Sequence, residues 1–288
     1  MFMKRAVALG TFDGVHSGHR AVLKHSPEYS LTVITFGRPP KSFFSGKTEL
    51  LMTLSDRKKA LYELGAEKVV VLDFEKVKDT DAASFLESIK TEYAPDLILC
   101  GFNYKFGKNA AGNTELMRSF CEKNGITLSV SPAIKSGGVS LSSTLLRNLI
   151  TAGDIKTANK YIYGGFGFSS TVLYGDARGR TIGFPTVNQA FPEELVKPKA
   201  GVYAARITVD GNSYNCITNI GIRPTFKTEK ITCESFILDF SDKIYGKTVT
   251  LKPLEFLREE KRFDGLQSLK KAISNDLEIA RQYFCKER

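Results

Sequence analysis

Ala6-Val7-Ala8-Leu9-Gly10-Thr11-Phe12-Asp13-Gly14-Val15-His16-Ser17-Gly18-His19 decides how the first half of this chain folds. A short apolar run breaks into a glycine-spaced turn, and a helix is expected to follow. That is the layout of a phosphate site at the carboxyl end of the first strand of an open parallel sheet. Gly10, Gly14 and Gly18 allow the backbone to approach phosphate closely, and the helix start offers unpaired N–H groups and partial positive charge. His16 and His19 are three residues apart, so the spacing predicts both on one helix face, each able to donate to a phosphate oxygen. They are two of only three histidines in the chain. Asp13 reads equally well as a helix cap or turn residue and as a direct participant.

Working outward, apolar β-branched runs recur at Leu31–Phe36, Lys68–Leu72, Leu97–Cys100 and Ile126–Val130. Helical patterns lie between several of them, at Ser55–Leu64, Ala82–Tyr93 and Thr114–Lys123, with Thr80 or Asp81 available as a cap for the second. All-apolar strands alternating with amphipathic helices predict an α/β domain, a Rossmann-like parallel sheet covered on both faces. Ser142–Ile150 and Ile155–Ile162 read as connecting helices. After about Ile162 the pattern changes to long alternating runs, Val202–Val209, Tyr214–Ile220, Ile231–Phe240 and Thr248–Leu254, with Asp210-Gly211-Asn212 as a hairpin signal. This half is expected to be an antiparallel β-barrel. It closes with a terminal helix, Leu266–Tyr283, whose Leu266, Leu269, Ile273, Leu277 and Ala280 keep helical spacing. The domains are therefore placed at residues 1–160 and 161–288.

The composition narrows the function classes. Of 288 residues, 42% are apolar and 25% charged, enough for two buried cores. No stretch approaches the roughly 20 apolar residues of a membrane helix. The start, Met1-Phe2-Met3-Lys4-Arg5, lacks the pattern of a secretory signal. Five scattered cysteines lack zinc or disulfide spacing, which predicts a reducing compartment, the cytoplasm. The net charge of +10 calls for an anionic partner. Its lysines and arginines are dispersed, so phosphorylated small molecules are expected and neither nucleic acid nor membrane is. Nothing in the pattern speaks to oligomeric state.

A second site is written in Gly175-Asp176-Ala177-Arg178-Gly179-Arg180-Thr181-Ile182-Gly183-Phe184-Pro185-Thr186-Val187-Asn188. A glycine- and arginine-rich loop can fold N–H groups and positive charge over phosphates. The Pro-Thr-x-Asn corner puts the Thr186 and Asn188 oxygens on one side of an extended segment, suited to a magnesium ion carried by ATP. Glu234 is the candidate general base. Alternation places it with Phe236, Leu238 and Phe240 on an apolar face, where a carboxylate is costly without a purpose.

These motifs together resemble the bacterial bifunctional riboflavin kinase/FAD synthetase family. The first motif, Gly101-Phe102-Asn103-Tyr104-Lys105-Phe106-Gly107 and Ser142-Ser143-Thr144-Leu145-Leu146-Arg147 resemble the nucleotide-site motifs of its nucleotidyltransferase half. The resemblance implies ATP binding by Gly10, Phe12, Asp13, Gly14, His16, His19, Asn103, Ser142, Thr144 and Arg147. His16, His19 and Arg147 would assist transfer of AMP from ATP to FMN, giving FAD and pyrophosphate. An FMN phosphate, with its second pKa at about 6, needs alignment and charge stabilisation rather than a general base. In the second half the resemblance implies riboflavin phosphorylation. ATP would lie under Gly175, Arg178, Gly179, Arg180, Gly183 and Pro185, with magnesium at Thr186 and Asn188 and Glu234 as base. Arg223 and Arg258 could bind flavin or phosphate, or equally serve as structural ion-pair partners. Two departures stand out, one of them the short connection His25–Ser30 between the first helix and the second strand. The family's Thr-Phe-x-Pro-His-Pro stretch is here Thr35-Phe36-Gly37-Arg38-Pro39-Pro40, with proline in the place of histidine. This leaves open a riboflavin kinase whose first half binds ATP but transfers AMP poorly.

Overall fold

β1 (Lys4–Leu9) lies at the middle of a five-stranded sheet in the order β3-β2-β1-β4-β5, with β2 at Tyr29–Phe36, β3 at Ala66–Leu72, β4 at Leu97–Gly101 and β5 at Thr127–Ser131. Every neighbouring pair is parallel. Strand order reverses at β1, so the carboxyl ends of β1 and β4 border the crevice where open α/β sheets bind ligands. The computed structural model describes residues 3–46, 48–175, 179, 182–224 and 229–287. Contacts divide the chain into two units, Met1–Leu145 and Leu146–Arg288.

Around the parallel sheet run α1 (Ser17–Val22), α2 (Pro40–Ser45), α3 (Leu54–Glu63), α4 (Phe74–Val77), α5 (Ala82–Tyr93) and α6 (Thr114–Lys123). Side-chain caps set where several begin. The Thr53 hydroxyl accepts from Asp56 N at 3.2 Å, and Asp81 accepts from Ala83 N and Ser84 N at 3.0 Å each. Asn113 accepts from Leu116 N at 2.9 Å. Asp81, rather than Thr80, is thus the cap of α5. One core joins Val7, Leu9, Ile34 and Ile98 of the sheet to Leu86 and Ile89 of α5 and Met117 of α6. A two-stranded hairpin, β6 (Lys135–Ser136) with β7 (Val139–Ser140), leads to α7 (Ser143–Ala152) and α8 (Ile155–Asn159).

The second unit is a closed antiparallel barrel in the order β10-β11-β12-β9-β8-β13. Its strands are β8 (Phe168–Leu173), β9 (Val187–Ala190), β10 (Gly201–Val209), β11 (Asn212–Pro224), β12 (Glu229–Ile237) and β13 (Thr248–Arg258). Asp210 and Gly211 join β10 to β11 with φ of 48° and 83°, the two left-handed residues of a tight primed turn. Side chains alternate between a sealed interior and an outer face. Cys216, Thr218 and Ile220 of β11 and Cys233, Ser235 and Ile237 of β12 point inward and are buried. The terminal helix α9 (Leu266–Lys286) packs outside the barrel, bringing Ile273, Leu277, Ala280 and Phe284 against Ala204, Ile217 and Phe236.

Candidate functional sites

In the first unit the Gly10–His19 motif follows β1 directly, and Gly101 ends β4 beside it. The motif is tightly bent. Phe12 and Val15 take left-handed φ of 49° and 39°, and Gly14 takes 76°. A side chain on Gly14 would also lie 2.9 Å from Leu51. Left-handed phenylalanine and valine are costly, and backbone of this kind collects at ligand sites. Asp13 is 1% exposed, and its carboxylate accepts from Leu51 N at 2.9 Å. That contact anchors the motif to the chain before α3.

The two histidines meet, but not as their spacing predicted. His16 has extended φ/ψ and is the residue before α1, where its Nδ1 accepts from His19 N at 3.4 Å. His19 alone is helical. The rings stack with centroids 3.7 Å apart and an 18° tilt, and Phe12 packs against His19 at 5.4 Å. Packing around the His19 ring holds its pKa well below the ordinary value, with His16 and Arg57 adding to the effect. A neutral imidazole carries one N–H donor rather than two.

The other residues of this site follow the sheet topology. Asn103 is exposed just past β4. The Ser142 hydroxyl accepts from Leu145 N at 3.2 Å, so its present role is to cap α7. Ser143 donates to the Asp13 carbonyl at 3.3 Å, tying the start of α7 to the first motif. Ser143 stands in the motif between Ser142 and Thr144, and only the fold distinguishes it from them. Thr144 is exposed, and Arg147 lies one turn beyond Ser143 on the same helix, past the end of the first unit. Pro39 precedes α2, and its carbonyl accepts from the Ser42 hydroxyl at 2.7 Å. The adjacent Arg38 guanidinium stands 4.0 Å over the Phe43 ring.

In the second unit a cavity of about 570 Å³ opens on the outer face of the barrel, beside α9. Thr186, Asn188, Asn219, Glu234, Phe236 and Arg258 are among its lining. The register explains the grouping. Glu234 of β12 lies directly opposite Asn188 of β9 on one side and Asn219 of β11 on the other. Thr186 is two residues before Asn188 and so shares its face. The face expected for Glu234 needs correction. Phe236 accompanies it, but Leu238 and Phe240 lie beyond the end of β12. The sealed interior is the opposite face, that of Cys233, Ser235 and Ile237. The outer face looked like a core face in sequence because α9 and Phe184 cover it, the latter edge-on to Phe236 at 5.6 Å.

Gly175 and Gly179 approach these residues closely. A side chain on Gly175 would collide with the Asn188 amide. The Gly179 carbonyl accepts from Ile182 N at 3.2 Å and Phe184 N at 2.8 Å. Gly183 and Pro185 are exposed on the way to Thr186. Arg178 and Arg180 lie outside the described residues, as does the side chain of Arg223, whose backbone pairs with Lys230.

Arg258 is held in a fork. Its Nε and Nη2 donate to the two carboxylate oxygens of Asp276 at 2.8 and 2.7 Å, and Nη1 donates to the Glu259 carbonyl at 3.0 Å. Asp276 is 2% exposed and comes from α9. In sequence its mark is an acid three residues after Ile273 on the apolar stripe. Asn219 donates to Glu260 at 2.9 Å, which adds a second carboxylate to the cavity rim.

A phosphate motif at a sheet switch point, followed in one chain by a barrel with a carboxylate facing a threonine–asparagine pair, defines a two-module nucleotide-using transferase. A family model described as FAD synthetase matches residues 2–145, and one described as riboflavin kinase matches residues 165–284. A bifunctional riboflavin kinase/FMN adenylyltransferase of Listeria monocytogenes is 31% identical, over 99% of this chain and 94% of its own length. The chain belongs to the bifunctional riboflavin kinase/FMN adenylyltransferase family. The Bacillus subtilis enzyme of the same name is 30% identical over 98% of this chain and 93% of its own. A solved structure named as a macrolide-efflux protein from Streptococcus pneumoniae superposes with a TM-score of 0.88 at 27% identity, covering 98% of this chain and 95% of that one. Among the described residues of the present chain no helix is long and apolar enough to cross a membrane.

Proposed function

We propose that the second unit phosphorylates riboflavin with ATP and that the first transfers AMP from a second ATP to the FMN formed, releasing pyrophosphate. The observation that carries the reading is the register of β12 with β9, which sets Glu234 against Asn188 at the cavity. In this reading Glu234 takes the proton of the ribityl 5′-hydroxyl as that oxygen attacks the γ-phosphate, whose bond to the bridging oxygen breaks to release ADP. The barrel fixes the carboxylate beside the phosphate-holding corner, so orientation is built into the fold.

Thr186 and Asn188 fit a magnesium ion, two neutral oxygens leaving most coordination positions to nucleotide phosphates and water. The close seat of Gly175 on the Asn188 amide supports this, since it leaves no room for a side chain beside that corner. When bound, magnesium neutralises phosphate charge. His16, His19 and the start of α1 are assigned to the ATP phosphates, with Asn103, Ser142, Thr144 and, just past the end of the first unit, Arg147 as further contacts. Substrates are riboflavin, FMN and ATP, and the compartment is the cytoplasm. The domain boundary is assigned to residues 160 and 161, and the contact division at residues 145 and 146 groups α8 with the barrel.

Incubation with riboflavin, ATP and magnesium, resolved by chromatography, should give FMN and then FAD. FMN without FAD or pyrophosphate would favour the second reading, motivated by Pro39, of a kinase with an impaired first unit. Glu234→Gln should lower FMN formation by about a hundredfold or more. FAD formation from supplied FMN should be unchanged in the same preparation.

A further inference from the structure

Among the described residues Arg57 is the largest side chain wholly withdrawn from solvent, at 0% exposure, and the chemistry described so far leaves it out. It projects from α3 on the same stripe as Leu54 and Leu61. The Asp13 carboxylate acts on it as a counter-charge, working against the loss of charge that burial favours. Its hydrogen bonds go to backbone instead. Nη1 donates to the Thr11 carbonyl at 2.8 Å, while Nη2 donates to the carbonyls of Phe36 and Gly37 at 2.6 and 2.8 Å. Thr11 belongs to the phosphate motif after β1. Phe36 and Gly37 open the segment after β2 that contains Arg38 and Pro39. Thr35 reinforces the junction, its hydroxyl donating to the same Thr11 carbonyl at 3.0 Å.

A core position filled by a cation is expensive unless the cation does something an apolar residue cannot. Here one planar fork spans the carboxyl ends of two adjacent parallel strands and fixes the separation of the two loops that leave them. A lysine ammonium, a single point on a flexible stem, cannot reach both loops with the same geometry. The guanidinium also lies close enough to bear on His19.

We infer that Arg57 is a positioning residue for adenylyl transfer, clamping the phosphate motif at Thr11 to the segment at Gly37 so that ATP and the acceptor phosphate are held in line. The inference rests on the reading of the first unit as an adenylyltransferase. Loosening the clamp should misalign the reacting groups without removing a contact to either substrate. Arg57→Lys should therefore lower kcat for FAD formation by about tenfold to a hundredfold while both KM values stay within about threefold. Riboflavin phosphorylation by the same molecules should be unchanged, which counts active protein. Leu61→Ala, a truncation in the core of the same helix, serves as the stability control. At a temperature where both variants are fully folded by circular dichroism, it should keep near-normal kcat. Adding guanidinium ion to Arg57→Ala should restore part of the rate, and methylammonium should not.

A wild-type kcat in Arg57→Lys overturns the inference, as does an equal loss in folded Leu61→Ala. FAD formation by the unaltered protein keeps those results distinct from failure of the underlying reading. If the unaltered protein makes no FAD, the reading falls and the inference with it.

Discussion

His19 shows how the surroundings of one residue change what its side chain offers. Stacked on His16, edged by Phe12 and within reach of the Arg57 charge, its ring resists protonation in the folded chain. In the unfolded chain it titrates near its ordinary value of about 6.5. Below that pH the unfolded state binds a proton that the folded state refuses, so stability falls with acid until the lower folded pKa is passed. Equilibrium denaturation of the first unit should therefore show a loss between pH 7 and 5.5 that is smaller in His19→Gln. An identical pH slope in both proteins would mean that other groups govern the acid response. A phosphate oxygen beside this ring would favour the charged form, so nucleotide binding should also draw in protons.

Among the elements, α9 does more than cover the barrel. It brings Asp276 to Arg258 on β13 in a two-point ion pair at the wall of the cavity. Asp276→Ala leaves a mostly buried guanidinium without its partner and should destabilise the second unit by about 2–3 kcal/mol, less than a fully buried pair because Arg258 keeps some access to water. Urea unfolding followed at the barrel would measure this, and a change below about 0.5 kcal/mol would show that solvent replaces the carboxylate. The elements also differ in how visible they were beforehand. All five parallel strands and α5, α6 and α9 stood out in the sequence because each repeats one hydrophobic period over its length. β8 and β9 did not. β9 is four residues long, and its inward residue is Gln189, whose amide donates to the Ser170 carbonyl and hydroxyl and to the Val249 carbonyl. A polar residue at an interior position erases the alternation that marks a strand. The same limit hid Arg57, since hydrogen bonds to three distant carbonyls leave no local pattern.

For the whole molecule, the motifs made both sites legible, while their assembly came from long-range pairing that spacing cannot encode. Glu234 faces Asn188 only because β12 closes on β9. The boundary between units is likewise a matter of packing. Ile155 and Ala158 of α8 are fully buried, and Asn159 donates to the Pro253 carbonyl at 2.9 Å and accepts from Phe166 N at 2.7 Å. A fragment beginning at residue 146 should form FMN at the rate of the full chain. One beginning at 161 lacks these contacts and should be less stable by about 3 kcal/mol or more. Equal melting of the two fragments would place α8 outside the cooperative unit.

The inward face of β12 has a practical consequence. Cys233 stands immediately before Glu234 but on the sealed side of the barrel, where burial pushes its thiol up to about 12. Cys216 is equally hidden, whereas Cys285 is exposed near the chain end. The protein thus contains its own clock. An alkylating reagent consumes Cys285 at once and then waits for the barrel to open before reaching Cys233 and Cys216, while the buried Cys100 and Cys121 follow the first unit and are told apart by peptide mass. The lag times that opening, and a nucleotide or flavin that stabilises the closed barrel lengthens it, so ligand binding can be read by mass without any turnover.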